Sequence, residues 1–239
     1  MKRIVWGLIS LVIAVVAVGL VIFGFSKQQY QAPTGTVAAK SVGTIQYQGM
    51  TRDHVVLTFG TYPDSQGKYG TMLAAEGAAS TPGGNVHPGG NPSWPAYAPS
   101  NQFSVPAGAY VTVVWHQYDS GGAVNDPYFA QVHGTIGGTE TVNGKTITGV
   151  DANNMAHTFT VRPAPGTASG FFLSVPSPVS SLGNNAANNA GGQTVTFSFI
   201  AGAKGLYAWN CEYPCGLGIG GFGAVMGSYG YMSGYLHVV

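Results

Sequence analysis

Beyond its first 26 residues this chain shows no sustained helical spacing of apolar residues, only short stretches in which apolar and polar side chains alternate. Such a stretch can bury one face only when it is extended, so each must become a half-buried strand. The clearest are Arg52 to Phe59, Asn101 to Val105, Tyr110 to His116, His157 to Val161, Gln193 to Ile200, Gly205 to Asn210 and Tyr235 to Val239. Turn signals separate them. Pro106-Ala107-Gly108 makes a corner between two strands, and Asn143-Gly144 predicts a tight hairpin within Gly134 to Val150. Seven or more short strands joined in this way predict an all-β, Greek-key sandwich of two sheets.

The composition sharpens this expectation. Charged residues make up 7% of the chain, against about 25% in an ordinary soluble protein. With 37 Gly and 14 Pro, so little charge could signal disorder, but 12% aromatic residues and abundant valine supply a packed core. From Lys27 onward seven Lys and Arg face eight Asp and Glu, so no basic surface exists to attract nucleic acid. Few carboxylates also leave little to protonate, which suits an acidic exterior.

Lys2 and Arg3 precede an apolar run from Ile4 to Phe25 that contains no charge. As a helix it is roughly 33 Å long, enough to cross the hydrocarbon core of a bilayer. It exceeds the usual apolar region of a signal peptide, and Gly24-Phe25-Ser26-Lys27 is a poor cleavage site. Residues 1–26 are therefore expected to be a membrane anchor in contact with lipid, with a cytoplasmic N-terminus and the remainder on the extracytoplasmic face. Residues 27–50 read as a stalk and 51–239 as the folded domain. Within it, residues 60–100 are dense in Gly, Pro, Ser and Asn and read as a long loop packed on itself, with Tyr62, Trp94 and Tyr97 as the residues able to pin it elsewhere. Residues 163–192 also read as loop.

The chemistry gathers in the last third. His157 opens a strand, Cys211 and Cys215 follow the strand ending at Asn210, and Met232 precedes the last strand. Imidazole nitrogen, thiolate sulfur and a weak thioether are the donors of copper electron-transfer sites. Met226 is an alternative thioether. Two cysteines three residues apart in an exported domain can bind metal or be oxidised, and spacing does not choose between these.

This order of residues resembles the cupredoxins. The Cys-x3-Cys spacing resembles the domain of haem-copper oxidase subunit II, where two such thiolates bridge a dinuclear copper centre. In that pattern a histidine follows the second cysteine, but here Ile219 stands in its place, and Glu212 comes one position early. Met232-Ser233-Gly234-Tyr235-Leu236-His237-Val238 fits the closing cupredoxin strand. Tyr207-Ala208-Trp209-Asn210-Cys211-Glu212-Tyr213-Pro214 also resembles the mononuclear blue-copper loop of sulfocyanin-like proteins, with Cys215 where a histidine would follow the proline. Both resemblances leave one imidazole short; His116, His133 and His237 could replace it only in an unusual fold.

The subunit II resemblance implies a non-catalytic subunit of a respiratory terminal oxidase. Its catalytic subunit would be the partner, and a donor protein or quinol the electron source. The sulfocyanin resemblance implies a membrane-anchored blue-copper carrier. The missing imidazole favours a degenerate site in which Cys211 and Cys215 form a disulfide. A surface or pilus-like structural protein is the reading from another class. No hydrolase elbow, paired carboxylates or phosphate-binding loop followed by a helix is present.

Overall fold

The computed structural model describes residues 35–62, 95–118, 125–167, 170–179, 192–215 and 232–239, together with Val15, Val16 and Val18 in a helix. The chain divides into two units, Met1–Pro33 and Thr34–Val239. Apart from those three helical valines, the apolar run 4–25 lies outside the described residues, and among the described residues no helix is long and apolar enough to cross a membrane. Most of the expected long loop, residues 63–94, also lies outside them, as does Met226.

The second unit is a two-sheet, all-β fold. Its strands among the described residues are β1 (Val37–Ala38), β2 (Lys40–Tyr47), β3 (Met50–Tyr62), β4 (Ala96–Ala98), β5 (Gln102–Val105), β6 (Tyr110–Gln117), β7 (Glu140–Val142), β8 (Lys145–Ile147), β9 (Met155–Pro163), β10 (Leu173–Pro178), β11 (Gln193–Ile200), β12 (Gly205–Asn210) and β13 (Ser233–Val238). One sheet runs β1-β5-β13-β12-β9-β10; the other runs β2-β3-β6-β11-β7-β8, with β4 also paired to β3. Pairing is mixed: β3 lies parallel to β6 and β5 parallel to β13, while β12 is antiparallel to both of its neighbours, β9 and β13.

Alternation does what the sequence predicts in the central strands. In β6, Val111, Val113 and Trp115 are buried while Tyr110, Thr112 and Val114 are half-buried; in β11, Val195, Phe197 and Phe199 point inward. Asn143 and Gly144 both take positive φ, 49° and 85°, the backbone of a type I′ hairpin turn between β7 and β8.

Three expectations are corrected. The stalk over 27–50 does not hold throughout, because β1 and β2 occupy its second half. As an edge strand β2 is exposed on most of its length, so it carries no inward apolar period to read. The loop over 163–192 contains β10, whose Pro176 and Pro178 argue against a strand. Among the strands it pairs only with β9, and beyond the single Ser174–His133 bridge its outer edge has no ladder, so Pro176 and Pro178 cost no strand hydrogen bond there. Tyr97, placed in a self-packed loop, is buried in the core on β4.

That core is aromatic. Phe59, Tyr97, Phe103, Trp115, Phe159 and Trp209 are all buried, with Phe59 and Phe159 at 5.0 Å, Phe59 and Phe103 at 5.1 Å, and Tyr97 and Trp209 at 4.5 Å between ring centroids. The indole N–H of Trp209 donates to the Asn101 carbonyl at 2.9 Å, and that of Trp115 to the Thr61 hydroxyl at 2.7 Å. Both sheets are thus joined by rings whose polar edges are satisfied.

Gly234, opposite Trp209 on β13, leaves room for this junction. A Cβ there would stand 1.8 Å from the Asn101 carbonyl oxygen and 2.9 Å from the Trp209 Nε1. Backbone and a fixed indole cannot both withdraw, so Gly234→Ala should cost about 3 kcal/mol or more. Chemical denaturation checks this; an unchanged midpoint would refute the packing.

Candidate metal centre

Sheet register brings the candidate ligands together. On β9, Thr160 and Val161 pair with Asn210 and Trp209 of β12, so the two residues before Thr160's neighbour lie beside the chain that follows Asn210. His157 therefore meets Cys211 and Cys215 across 54 and 58 residues of sequence. The His157 Nδ1 lies 3.0 Å from the Cys215 Sγ and 3.8 Å from the Cys211 Sγ, and the two sulfurs are 3.8 Å apart. All three side chains are buried.

These three distances define a triangle. A point equidistant from its corners lies roughly 2.1 Å from each donor, within the ~2.0–2.3 Å range of metal–nitrogen and metal–sulfur bonds. The donor set therefore fits one metal ion in a trigonal position without rearrangement. It is the only group of three or more His, Cys, Asp or Glu residues able to hold a metal among the described residues.

The expected disulfide is absent. The two sulfurs stand 3.8 Å apart, far beyond a bonded ~2.05 Å. Each sulfur contacts the His157 Nδ1, and each lies 3.3 Å from the Tyr213 carbonyl oxygen.

Surrounding groups hold the sulfurs in place. The Thr158 N–H donates to the Cys211 Sγ at 3.3 Å. The Thr158 hydroxyl accepts the Glu212 N–H at 2.7 Å, and its carbonyl accepts the Tyr97 hydroxyl at 3.1 Å. Thr158 thus ties His157's strand to both residues 211 and 212. On the outside, the Arg162 guanidinium bridges Asn210 and Glu212, the two neighbours of Cys211. Burial alone would push the Cys211 thiol up. The hydrogen bonds from Cys215 and His157, the His157 charge and the Thr158 N–H outweigh it and hold it down to about 5. Burial and the neighbouring thiolates push the Tyr97 phenol well above its ordinary value, so it remains a neutral donor.

Met232 is buried, and its carbonyl accepts the Cys211 N–H at 2.9 Å, which places its backbone beside the first thiolate. The other candidate imidazoles lie elsewhere. His133 stacks on Tyr128 at 4.5 Å, His237 bonds Gln102, and His116 sits on β6 opposite Thr194. Sequence reasoning missed Tyr97 and Thr158 as supports. Thr158 had a signal, its place directly after His157, whereas Tyr97 lay in a stretch that reads as loop.

No known protein family matches the sequence, and no curated protein does. Among solved structures the chain is similar to reduced rusticyanin, with 14% identity over 84% of this chain and 90% of that one and a TM-score of 0.34. It is similar to auracyanin B, with 11% identity over 84% and 98% and a TM-score of 0.33. Rusticyanin from Thiobacillus ferrooxidans gives 13% identity over 84% and 88% and a TM-score of 0.34. At these identities and TM-scores the likeness decides nothing about the site, which rests on its own donor atoms.

Proposed function

We propose that the second unit is a cupredoxin-like electron carrier holding one copper ion between His157, Cys211 and Cys215, with the Met232 thioether as a weak further ligand. The observation that carries this reading is the buried triangle of one nitrogen and two sulfurs. Zinc in structural sites takes four ligands in a tetrahedron, whereas a trigonal set of imidazole and thiolate with a distant thioether is a copper arrangement. Copper in such a site gives up and accepts single electrons.

The residues would do the rest. Cys211 enters the site already deprotonated near neutral pH, because its neighbours hold the thiolate. Thr158 and Tyr97 fix its direction through a chain of buried hydrogen bonds. Burial of all three donors keeps water out, so the geometry need not change when charge does. Cys215 stands where a second imidazole would complete a blue-copper set, and its anionic thiolate would favour the cupric state and so a low potential.

The apolar run 4–25 would tether this carrier at the outer face of a membrane, with a redox protein or quinol as its electron donor. A place beside the catalytic subunit of a haem-copper oxidase is the second reading, favoured by the Cys-x3-Cys spacing. A dinuclear centre would need a second imidazole, and among the described residues only His157 joins the sulfurs.

Copper titration of the reduced full chain tests this. One copper per chain, a thiolate-to-copper absorption band in the visible and reversible one-electron reduction are expected. Two coppers per chain, with a haem-bearing partner on copurification, would move the assignment to the oxidase subunit. Tight zinc and no stable copper would end the electron-transfer reading.

A further inference from the structure

Away from the metal centre the β7–β8 hairpin carries an acid with nowhere to place its charge. Glu140 opens β7 and is 1% exposed. Neither of its carboxyl oxygens has a hydrogen-bond partner among the described residues. Strand alternation puts it on the same side of β7 as Val142, which packs against the core. A carboxylate in that position would lack both water and a counter-charge, a cost that proteins avoid by keeping the group neutral.

We propose that Glu140 is a proton-operated latch: as the neutral acid it lets the β7–β8 hairpin close on the sandwich, and loss of its proton releases the hairpin. The elements packed against β7 offer no rescue. β11 contains no titratable residue, and the 3-10 turn at Ile136–Gly138 contains none. On β8 the only one is Lys145, exposed and in register with Val142 rather than with Glu140. On β6, next to β11, His116 pairs with Thr194 on the half-buried face of the sheet, opposite the inward face that Val195 shares with Val142 and Glu140. In the flanking segments Asp126 and Asp151 accept the N–H groups of Phe129 and Asn153, and His133 stacks on Tyr128.

Burial pushes the Glu140 carboxyl from its ordinary range up to about 8. The folded chain then binds more protons than the unfolded chain between those values, so stability must fall as pH rises through this window. It is greatest below the ordinary carboxyl range and levels off above about 8. The hairpin meets β11 over a short seam, the pairs Val195 with Val142 and Thr196 with Thr141 and the two hydrogen bonds between Asn143 and Thr194, so it is the part that opens first. A chain with this latch works best in acid, and that depends on neither copper nor partner.

Hydrogen exchange of the full chain and of Glu140→Gln, compared at each pH from 4 to 9, tests the proposal. The ratio of wild-type to variant protection at residues 140–147 should fall at least tenfold between pH 5 and 8, while the ratio in β3 and β6 stays near constant. A flat ratio in the hairpin would overturn it. Should the variant fail to fold, infrared spectroscopy of the wild type gives a second answer. A neutral-carboxyl band persisting at pH 6 and lost near pH 8 supports the latch, and its absence at pH 6 refutes it.

Discussion

Replacing Cys211 by serine should abolish copper binding while leaving the β-sandwich folded. Its sulfur is the donor that the chain prepares most fully. It receives the Thr158 N–H, its own N–H is fixed to the Met232 carbonyl, and it lies 3.8 Å from both other donors. A serine hydroxyl is a hard, protonated oxygen on a shorter bond, so the triangle keeps only His157 and Cys215, too few to hold a soft ion. We expect at least a 1,000-fold loss of copper affinity and complete loss of the visible band, read by competition with a chelator and by absorption. Far-ultraviolet circular dichroism should be unchanged. Retained colour at full intensity would show that the copper is held elsewhere. Cys215→His is the complementary change. It supplies the imidazole missing from the blue-copper pattern and should intensify the visible band and raise the reduction potential, because a neutral donor replaces an anionic one.

Trp209→Ala should destabilise the domain by about 4 kcal/mol, a large part of what a domain of this size possesses. Its ring touches Tyr97 at 4.5 Å, Phe159 at 5.4 Å and Phe103 at 5.7 Å between centroids, and its N–H satisfies the buried Asn101 carbonyl. Truncation opens a cavity between the two sheets and removes one of the two N–H groups that the Asn101 carbonyl accepts, leaving only that of Tyr235. Because Trp209 lies two residues before Cys211 and packs on Tyr97, copper should also bind more weakly in whatever fraction remains folded. Urea unfolding of the copper-free protein measures the first effect. A loss below about 1 kcal/mol would mean that the aromatic cluster is not the junction between the sheets.

Much of this was legible in the sequence because local pattern and global fold agree there. Central strands such as β6 and β11 are half-buried, so burial writes a two-residue period into them. The Asn143-Gly144 turn is legible because few residues accept two consecutive positive φ values. His157, Cys211, Cys215 and Met232 stood out as donors by residue type alone. Edge strands were not legible. β2 is exposed along most of its length and β10 carries two prolines, so neither has the burial or the composition that marks a strand.

What only the tertiary structure decided is how distant groups meet. The fate of the two cysteines depends on register: pairing Thr160 with Asn210 brings the His157 imidazole up to both sulfurs, which stand unbonded at a spacing that fits one metal ion. Tyr97 became a core residue because β4 pairs with β3 beneath Trp209, a contact 112 residues away that no local period records. Nothing local in the sequence marks Glu140, and only the fold shows it buried with no hydrogen-bond partner for its carboxyl among the described residues. The sequence by itself set the positions of the central strands and the donor chemistry, which depend on neighbours one to four residues away. Distances between donors and the solvation of a lone acid depend on long-range register, and only the folded chain fixes that.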